Sequence, residues 1–454
     1  MSETHTSDVV VLGMGPAGES VAGQLAQAGL SVVGIDANLV GGECPYWGCI
    51  PSKMMVHAAD LLAEGRRIPE MAGQIGNITP DWGMVARRIR DEATDNWDDT
   101  VAVERFEGHG GTFVRGRGRL IADDAVEVEG TVYRATTALV VATGSAPFIP
   151  PISGLDDTPF WTNRAAVEAV DLPGSITVIG GGAIGLELAQ AYGRFGSDVT
   201  VVEAADHLLP HEEPEVGEMI ADVLAAEHID LHVGASAVAV DHDGAKFTTT
   251  LADGSTVTSE QLLVAAGRRV DLGSIGADAI GVDVSEPGLP TDEHLRVAPG
   301  VWAVGDVTFK GLFTHVGMYQ AAIVVADILD QAHETADYSA VPRVTFTDPE
   351  VGSVGMTEAQ AIDAGLSVAV TSKPVAHTAR GWLHQAGNDG LIKLVIDTDR
   401  DVLVGATAAG PDGGEVLGFL SLAVHAAIPL PTLRTMIYAY PTFHRGIEDA
   451  LNDL

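Results

Sequence analysis

The sequence predicts an α/β protein: two doubly wound domains followed by an α+β module. Three observations predict it. A strand, a glycine-rich turn, a helix and a second strand ending in an acid occur twice in the same register. Buried strands at 137–145, 261–268 and 301–306 fit between and after the two copies. Beyond about residue 340 the texture shifts to alternating, half-covered strands and then helices.

The first copy opens with the apolar run Asp8 to Leu12 and the turn Gly13-Met14-Gly15-Pro16-Ala17-Gly18. A helical stretch runs through Ala28, and a second apolar run from Leu30 to Ile35 ends at Asp36. The second copy is Ser175 to Ile179, the turn Gly180-Gly181-Gly182-Ala183-Ile184-Gly185, a helix, then Asp198 to Val202 ending at Glu203. First glycine and acid lie 23 residues apart in each copy, 36 − 13 and 203 − 180. Both are βαβ units with a phosphate-binding turn. Gly13 and Gly180 permit the tight turn, Gly15 and Gly182 let the backbone approach a pyrophosphate, and Gly18 and Gly185 pack helix on strand. The helix N-terminus offers unpaired N–H groups and a positive dipole end, and the acid accepts hydrogen bonds from ribose hydroxyls. Two such sites in one chain suggest a flavin and a nicotinamide. In the last module, 342–347, 391–396 and 402–407 read as antiparallel strands, and 413–427 and 444–454 as helices.

A chain of 454 residues has room for about three domains. With 46% apolar and 19% charged residues it is neither disordered nor collagen-like. Its formal charge of −38 repels phosphate backbones and anionic lipid, so neither nucleic acid nor a membrane surface is an expected partner. The five lysines suit a salt-rich cytoplasm and equally a high-GC coding history. The N-terminus lacks a basic stretch followed by an apolar run, and no apolar run approaches the roughly 18 residues of a spanning helix. A cytoplasmic location is expected.

The two cysteines, Cys44 and Cys49, stand in Gly41-Gly42-Glu43-Cys44-Pro45-Tyr46-Trp47-Gly48-Cys49-Ile50-Pro51-Ser52-Lys53. A structural disulfide is not expected in a reducing compartment. Pro51 marks a helix start, where the dipole favours a thiolate, and Lys53 adds positive charge. No His/Cys cluster with metal-ligand spacing surrounds them, so redox chemistry is expected and no metal. Tyr46 and Trp47 narrow a substrate mouth, offer a stacking face, or pack beneath the neighbouring helix.

This segment resembles the G-G-x-C-x4-C-x-P-x-K site of the class I pyridine nucleotide–disulfide oxidoreductases, a family including dihydrolipoamide dehydrogenase and mercuric reductase. The similarity covers nearly the whole chain: both fingerprints, Ala142-Thr143-Gly144, Ala266-Gly267-Arg268, Val304-Gly305-Asp306 and Phe346-Thr347-Asp348-Pro349-Glu350 follow in the family order. The resemblance implies a homodimeric flavoprotein. FAD would lie on 1–150 with 271–340, the nicotinamide on 151–270, and the dimer contact on 341–454. It implies that the first fingerprint and Asp36 hold the ADP half of FAD and Asp306 the ribityl chain. Gly42, Gly116, Thr143, Gly144, Thr314 and His315 would also lie along FAD, and Gly267 at a cofactor. Lys53 would sit by the flavin, paired with Glu187. Cys49 would be the flavin-proximal sulfur and Cys44 the interchange thiol. Glu203, followed by Ala204-Ala205-Asp206 without an arginine, opposes a 2′-phosphate and favours NADH over NADPH.

The chain departs from the family at two places: Tyr46 and Trp47 replace the family's usual Asn-Val pair between the cysteines, and the C-terminal acid/base motif is altered. Where disulfide-reducing members carry His-Pro-Thr-x-x-Glu, it has Tyr440-Pro441-Thr442-Phe443-His444-Arg445. A phenol is a poor base at neutral pH and a guanidinium is none. Tyr440 and His444 are therefore both candidates for the proton-transfer role. The expected reaction carries electrons from NADH through FAD to a small disulfide or similar electrophile. The alternative is a quinone or diaphorase reductase whose reduced flavin is the direct donor.

Overall fold

The computed structural model describes residues 3–454. They form two compact units: residues up to Pro51 with Arg88–Phe148 and Arg268–Tyr338, and Ser52–Arg87 with Ile149–Gly267 and Ser339–Leu454.

The first unit is organised by an eight-stranded sheet. Its main path runs Arg296–Ala298, Val301–Ala303, Thr131–Val141, Thr4–Leu12, Val32–Asp36 and Thr112–Arg115. The central strands are parallel, with Val10 opposite Val33 on one side and Leu139 on the other. Both faces are covered, which is why Val9, Val10 and Val11 are all fully buried and the strand reads as a continuous apolar run. Val9, Val11 and Val140 pack with Val21 and Leu25 of the helix Pro16–Gln27 and Val324 of the helix Thr314–Ile328. Val10, Leu12, Leu139 and Val141 point the other way, onto Leu120, Val126 and Leu272. The strand expected at 137–145 starts earlier, at Thr131, and stops at Val141. Gly144, at φ +71°, makes the turn that ends it.

The second unit holds a four-stranded parallel sheet, in the order Asp230–Val233, Asp198–Glu203, Ser175–Ile179 and Gln261–Val264. It also holds a three-stranded antiparallel sheet spanning Ala237–His242 to Thr256–Ser259. The C-terminal module is a five-stranded antiparallel sheet, in the order Pro342–Thr345, Glu350–Gly355, Val402–Gly410, Leu391–Asp397 and Val368–Pro374. Its apolar face carries the helix Gly413–His425 through Leu417 and Leu420. The terminal helix is Gly446–Asn452, two residues shorter at each end than its pattern suggests. The short helix Leu430–Thr435 between them was not anticipated. No helix among the described residues is long and apolar enough to cross a membrane.

Candidate active site

In the first unit, the helix Pro16–Gln27 starts at Gly15, and no side chain caps it. Its opening turn therefore presents backbone N–H groups outward, and a Cβ at Gly15 would meet open space. Gly13, at φ +101°, packs against the Ala142 carbonyl, and a Cβ on Gly18 would fall on the Gly13 carbonyl oxygen. Asp36 closes the turn, its Oδ2 accepting the Met14 N–H at 2.7 Å and its Oδ1 the Asn38 N–H at 2.7 Å. Gly116 donates its N–H to the Asp36 carbonyl at 2.9 Å. A Cβ on Gly42 would come 2.8 Å from the Gly15 Cα, so the cysteine loop leaves the fingerprint at van der Waals limit. This cradle, closed to side chains at its floor and open at its N–H groups, fits a dinucleotide pyrophosphate.

Cys49 is the first residue of the helix Cys49–Met71, as Pro51 foretells, and is exposed, while Cys44 is half-buried one loop before it. Neither is in a disulfide. The Thr314 hydroxyl, at the start of the helix Thr314–Ile328, lies 3.5 Å from the Cys49 Sγ. The Cys44 thiol is held well above the usual thiol range by its hydrogen bond with Cys49 and by burial, which the Thr314 hydroxyl only partly offsets. The pair is thus asymmetric. Tyr46 and Trp47 are both buried, so they pack rather than form a mouth. The Tyr46 carbonyl accepts the Trp97 indole N–H at 3.3 Å.

Burial pushes the Asp306 carboxyl up from its usual value, against a 2.6 Å hydrogen bond from the Ser145 hydroxyl and the nearby Arg268 guanidinium. Arg268 Nε donates to Ser145 Oγ at 2.7 Å. Ser145 and Arg268 each follow a family glycine, Gly144 and Gly267, but nothing in their spacing announces that they meet. Thr143 backs the first turn, its nitrogen 2.7 Å from a Cβ placed on Gly13. His315 stacks on Phe313, with ring centroids 5.2 Å apart.

In the second unit the other fingerprint repeats the geometry. Gly182 begins the helix Ala183–Phe195 with no side-chain cap, and a Cβ on Gly185 would fall on the Gly180 carbonyl oxygen. Gly180 and Gly267 both have positive φ, +116° and +112°. Glu203 accepts the Gly181 N–H at 2.5 Å and the Ala205 N–H at 2.7 Å, one on each oxygen. One turn beyond Cys49 on its helix, Lys53 donates to Glu187 Oε2 at 2.5 Å. The other Glu187 oxygen accepts the Phe346 N–H at 2.9 Å, and the ammonium lies 4.7 Å from the Phe346 ring centre.

Tyr440 is exposed, with the Arg445 guanidinium 5.2 Å from its ring centre. Arg445 is itself committed to Glu448 and Asp449, both at 3.0 Å. His444 is half-buried and precedes the terminal helix, its ring 6.0 Å from that of Tyr438.

Two fingerprints, a dithiol at a helix start and a Lys–Glu pair coincide with what comparison finds. Residues 7–326 match the family described as pyridine nucleotide-disulphide oxidoreductase, and residues 341–451 match its dimerisation domain. The chain belongs to this family. It is 32% identical to dihydrolipoyl dehydrogenase of Chlorobaculum tepidum, over 98% of this chain and 96% of that one. It is 31% identical to mercuric reductase of Streptomyces lividans, over 99% and 96%. Among solved structures, the Cu(II) complex of the HOCl-induced flavoprotein disulfide reductase RclA from Escherichia coli superposes with a TM-score of 0.87 at 26% identity, covering 99% of this chain and 100% of that one. LpdA from Mycobacterium tuberculosis gives 0.85 at 25%, covering 99% of each. Family membership makes this an NAD(P)H-dependent flavoprotein disulfide oxidoreductase, and the family uses FAD and NAD(P)H. The match to the dimerisation domain supports a homodimer.

Proposed function

We propose that the enzyme passes electrons from NADH through FAD to the Cys44–Cys49 pair, and from Cys44 to a small disulfide or similarly soft electrophile. The asymmetry of the cysteines carries this reading. Cys49, at a helix N-terminus with the Thr314 hydroxyl 3.5 Å away, would hold the negative charge, while Cys44 would keep its proton until a substrate needs it.

On this reading 1–150 with 271–340 bind FAD, 151–270 bind the nicotinamide, and 341–454 make the dimer contact. Bound FAD supplies a two-electron carrier between the nicotinamide and the disulfide. Gly13, Gly15, Gly18, Asp36, Gly42, Gly116, Thr143, Gly144, Asp306, Thr314 and His315 would hold it. Gly180, Gly182, Gly185, Glu203 and Gly267 would hold the nicotinamide dinucleotide. Glu203 supports NADH because both its oxygens are fixed by backbone N–H groups, leaving a carboxylate where a 2′-phosphate would have to sit.

Once the pair is reduced, Cys44 loses its proton and attacks one sulfur of the substrate disulfide, expelling the other as a thiolate. Cys49 then attacks the Cys44 sulfur, releasing the second thiol and re-forming the Cys44–Cys49 disulfide. NADH and one proton are consumed and two thiols appear. Lys53, held by Glu187, would orient charge at the flavin end. Tyr440, exposed and with the Arg445 guanidinium over its ring, would donate a hydrogen bond or proton, with His444 as the second candidate.

The test is NADH turnover against a panel of disulfides and quinones, for wild type and Cys44→Ser. Disulfide turnover abolished by the substitution is the expected result. Quinone turnover that survives it, with no disulfide accepted, would overturn the reading in favour of the flavin as direct donor. NADH reduction should also raise a long-wavelength thiolate–flavin band that Cys49→Ser removes.

A further inference from the structure

We propose that His294, Asp327 and His333 form a binding site for a borderline divalent transition-metal cation of the Zn(II) type, apart from the redox centre. The two histidines are 39 positions apart, so no ligand spacing marks them in the sequence, where no metal was expected. All three lie within the first compact unit. One ligand atom from each, an imidazole nitrogen from either histidine and a carboxylate oxygen, can be chosen so that all lie within 4.8 Å of one another. His294 Nδ1 is 3.1 Å from His333 Nε2, which is 3.7 Å from Asp327 Oδ1. An ion with bonds of about 2.0–2.1 Å sets tetrahedral ligands roughly 3.3 Å apart, so these atoms close on it with shifts on the order of 1 Å.

Two further contacts give the group the supporting layer that metal ligands use. His333 Nδ1 lies 3.0 Å from the Gln331 carbonyl. A carbonyl only accepts, so Nδ1 carries the proton and Nε2 turns its lone pair toward Asp327 and His294. Asp327 is nearly buried and held by Arg296, at 2.7 and 2.6 Å, and by the Trp302 indole N–H at 2.8 Å. Oδ2 takes two of these bonds and Oδ1 only one, so the oxygen facing His333 keeps a free lone pair. Two imidazoles and one carboxylate suit Zn(II), Ni(II) or Cu(II) rather than Mg(II) or Ca(II).

The competing arrangement is a plain imidazole–imidazole hydrogen bond, with His294 donating to His333. It satisfies the 3.1 Å contact but, among the described residues, leaves His294 Nε2 facing Glu293 at 3.8 Å and no nearer charged partner. Asp327 is in the last turn of the helix that begins at Thr314, 13 residues or about 20 Å along its axis. A bound ion would therefore fasten the segment after that helix, where His333 sits, without touching the cysteines.

The test uses oxidised, FAD-loaded enzyme, in which the closed disulfide cannot take zinc, stripped with chelator and desalted. Zn(II) is titrated against a chromophoric competitor. One equivalent per chain is expected, with affinity falling at least about tenfold in His294→Gln and in His333→Gln. FAD content reports folding, and NADH-driven flavin reduction should be unchanged in both variants. Asp327 is left alone because it also anchors Arg296 and Trp302. No uptake by wild type, or equal uptake by wild type and both folded variants, would overturn the proposal.

Discussion

Removing the Lys53 ammonium while leaving Glu187 in place would strand a carboxylate whose side chain is only 6% exposed. At 2.5 Å the gross attraction is about 7 kcal/mol at an effective dielectric near 20. Desolvation of two ions consumes most of it. Lys53 is 34% exposed, so water reaches one partner. Lys53→Met should therefore cost about 3 kcal/mol, the lower end of the range for a stranded buried charge. Glu187→Gln keeps an acceptor for the Phe346 N–H and frees the lysine toward solvent, so it should cost about 1.5 kcal/mol. The double variant should cost less than the sum, with a coupling of about 1–3 kcal/mol. The assay is chemical denaturation of the FAD-loaded enzyme, the four proteins compared in one double-mutant cycle. If Lys53→Met proved no worse than Glu187→Gln, or the coupling fell below about 0.5 kcal/mol, the buried-pair reasoning would be refuted.

Arg194 is 2% exposed and holds Asp60, Glu227 and Asp348 at 2.6–2.7 Å, while burial pushes the Asp60 carboxyl up to about 7 with Arg194 opposing. Arg194→Gln should destabilise by about 3–5 kcal/mol at pH 8. The loss should shrink toward pH 5, because the stranded folded-state carboxyls then bind more protons than the unfolded chain; denaturation at both pH values checks the sign. Gly18→Ala and Gly185→Ala each push a Cβ onto a carbonyl oxygen and should cost about 1–3 kcal/mol. The first should reduce FAD content and the second should spare FAD but slow its reduction by NADH; a spectrum and a stopped-flow trace separate the two. Because the Cys44 thiol is held above its usual range, disulfide turnover should climb with pH from 7 through 9. A plateau already at pH 7 would show that another group sets the rate.

Much of the site was legible because its parts are local. A glycine turn, the helix after it and the acid on the next strand span 24 residues, and their spacing encodes the βαβ unit before any long-range contact forms. Cys44, Cys49 and Pro51 likewise declare a dithiol at a helix start. Val9 to Val11 could be read as doubly covered from their unbroken apolar run. The aromatics at Tyr46 and Trp47 were different, since a buried ring and a mouth-lining ring have the same local pattern. Only the fold decided that they are buried.

The sequence by itself determined the two nucleotide-binding turns, the redox pair and the α+β end, since each rests on spacings within one or two elements. Tertiary structure decided which charges meet. Thr314 reaches Cys49 across 265 positions and His294 reaches His333 across 39, while the Lys53–Glu187 pair, 134 positions apart, was expected only through the family resemblance and not from any local pattern. Arg194 gathers carboxylates from three distant segments. Periodicity specifies which face of an element is buried, but the partner a buried charge requires is set by how separate elements pack, and no local pattern carries that.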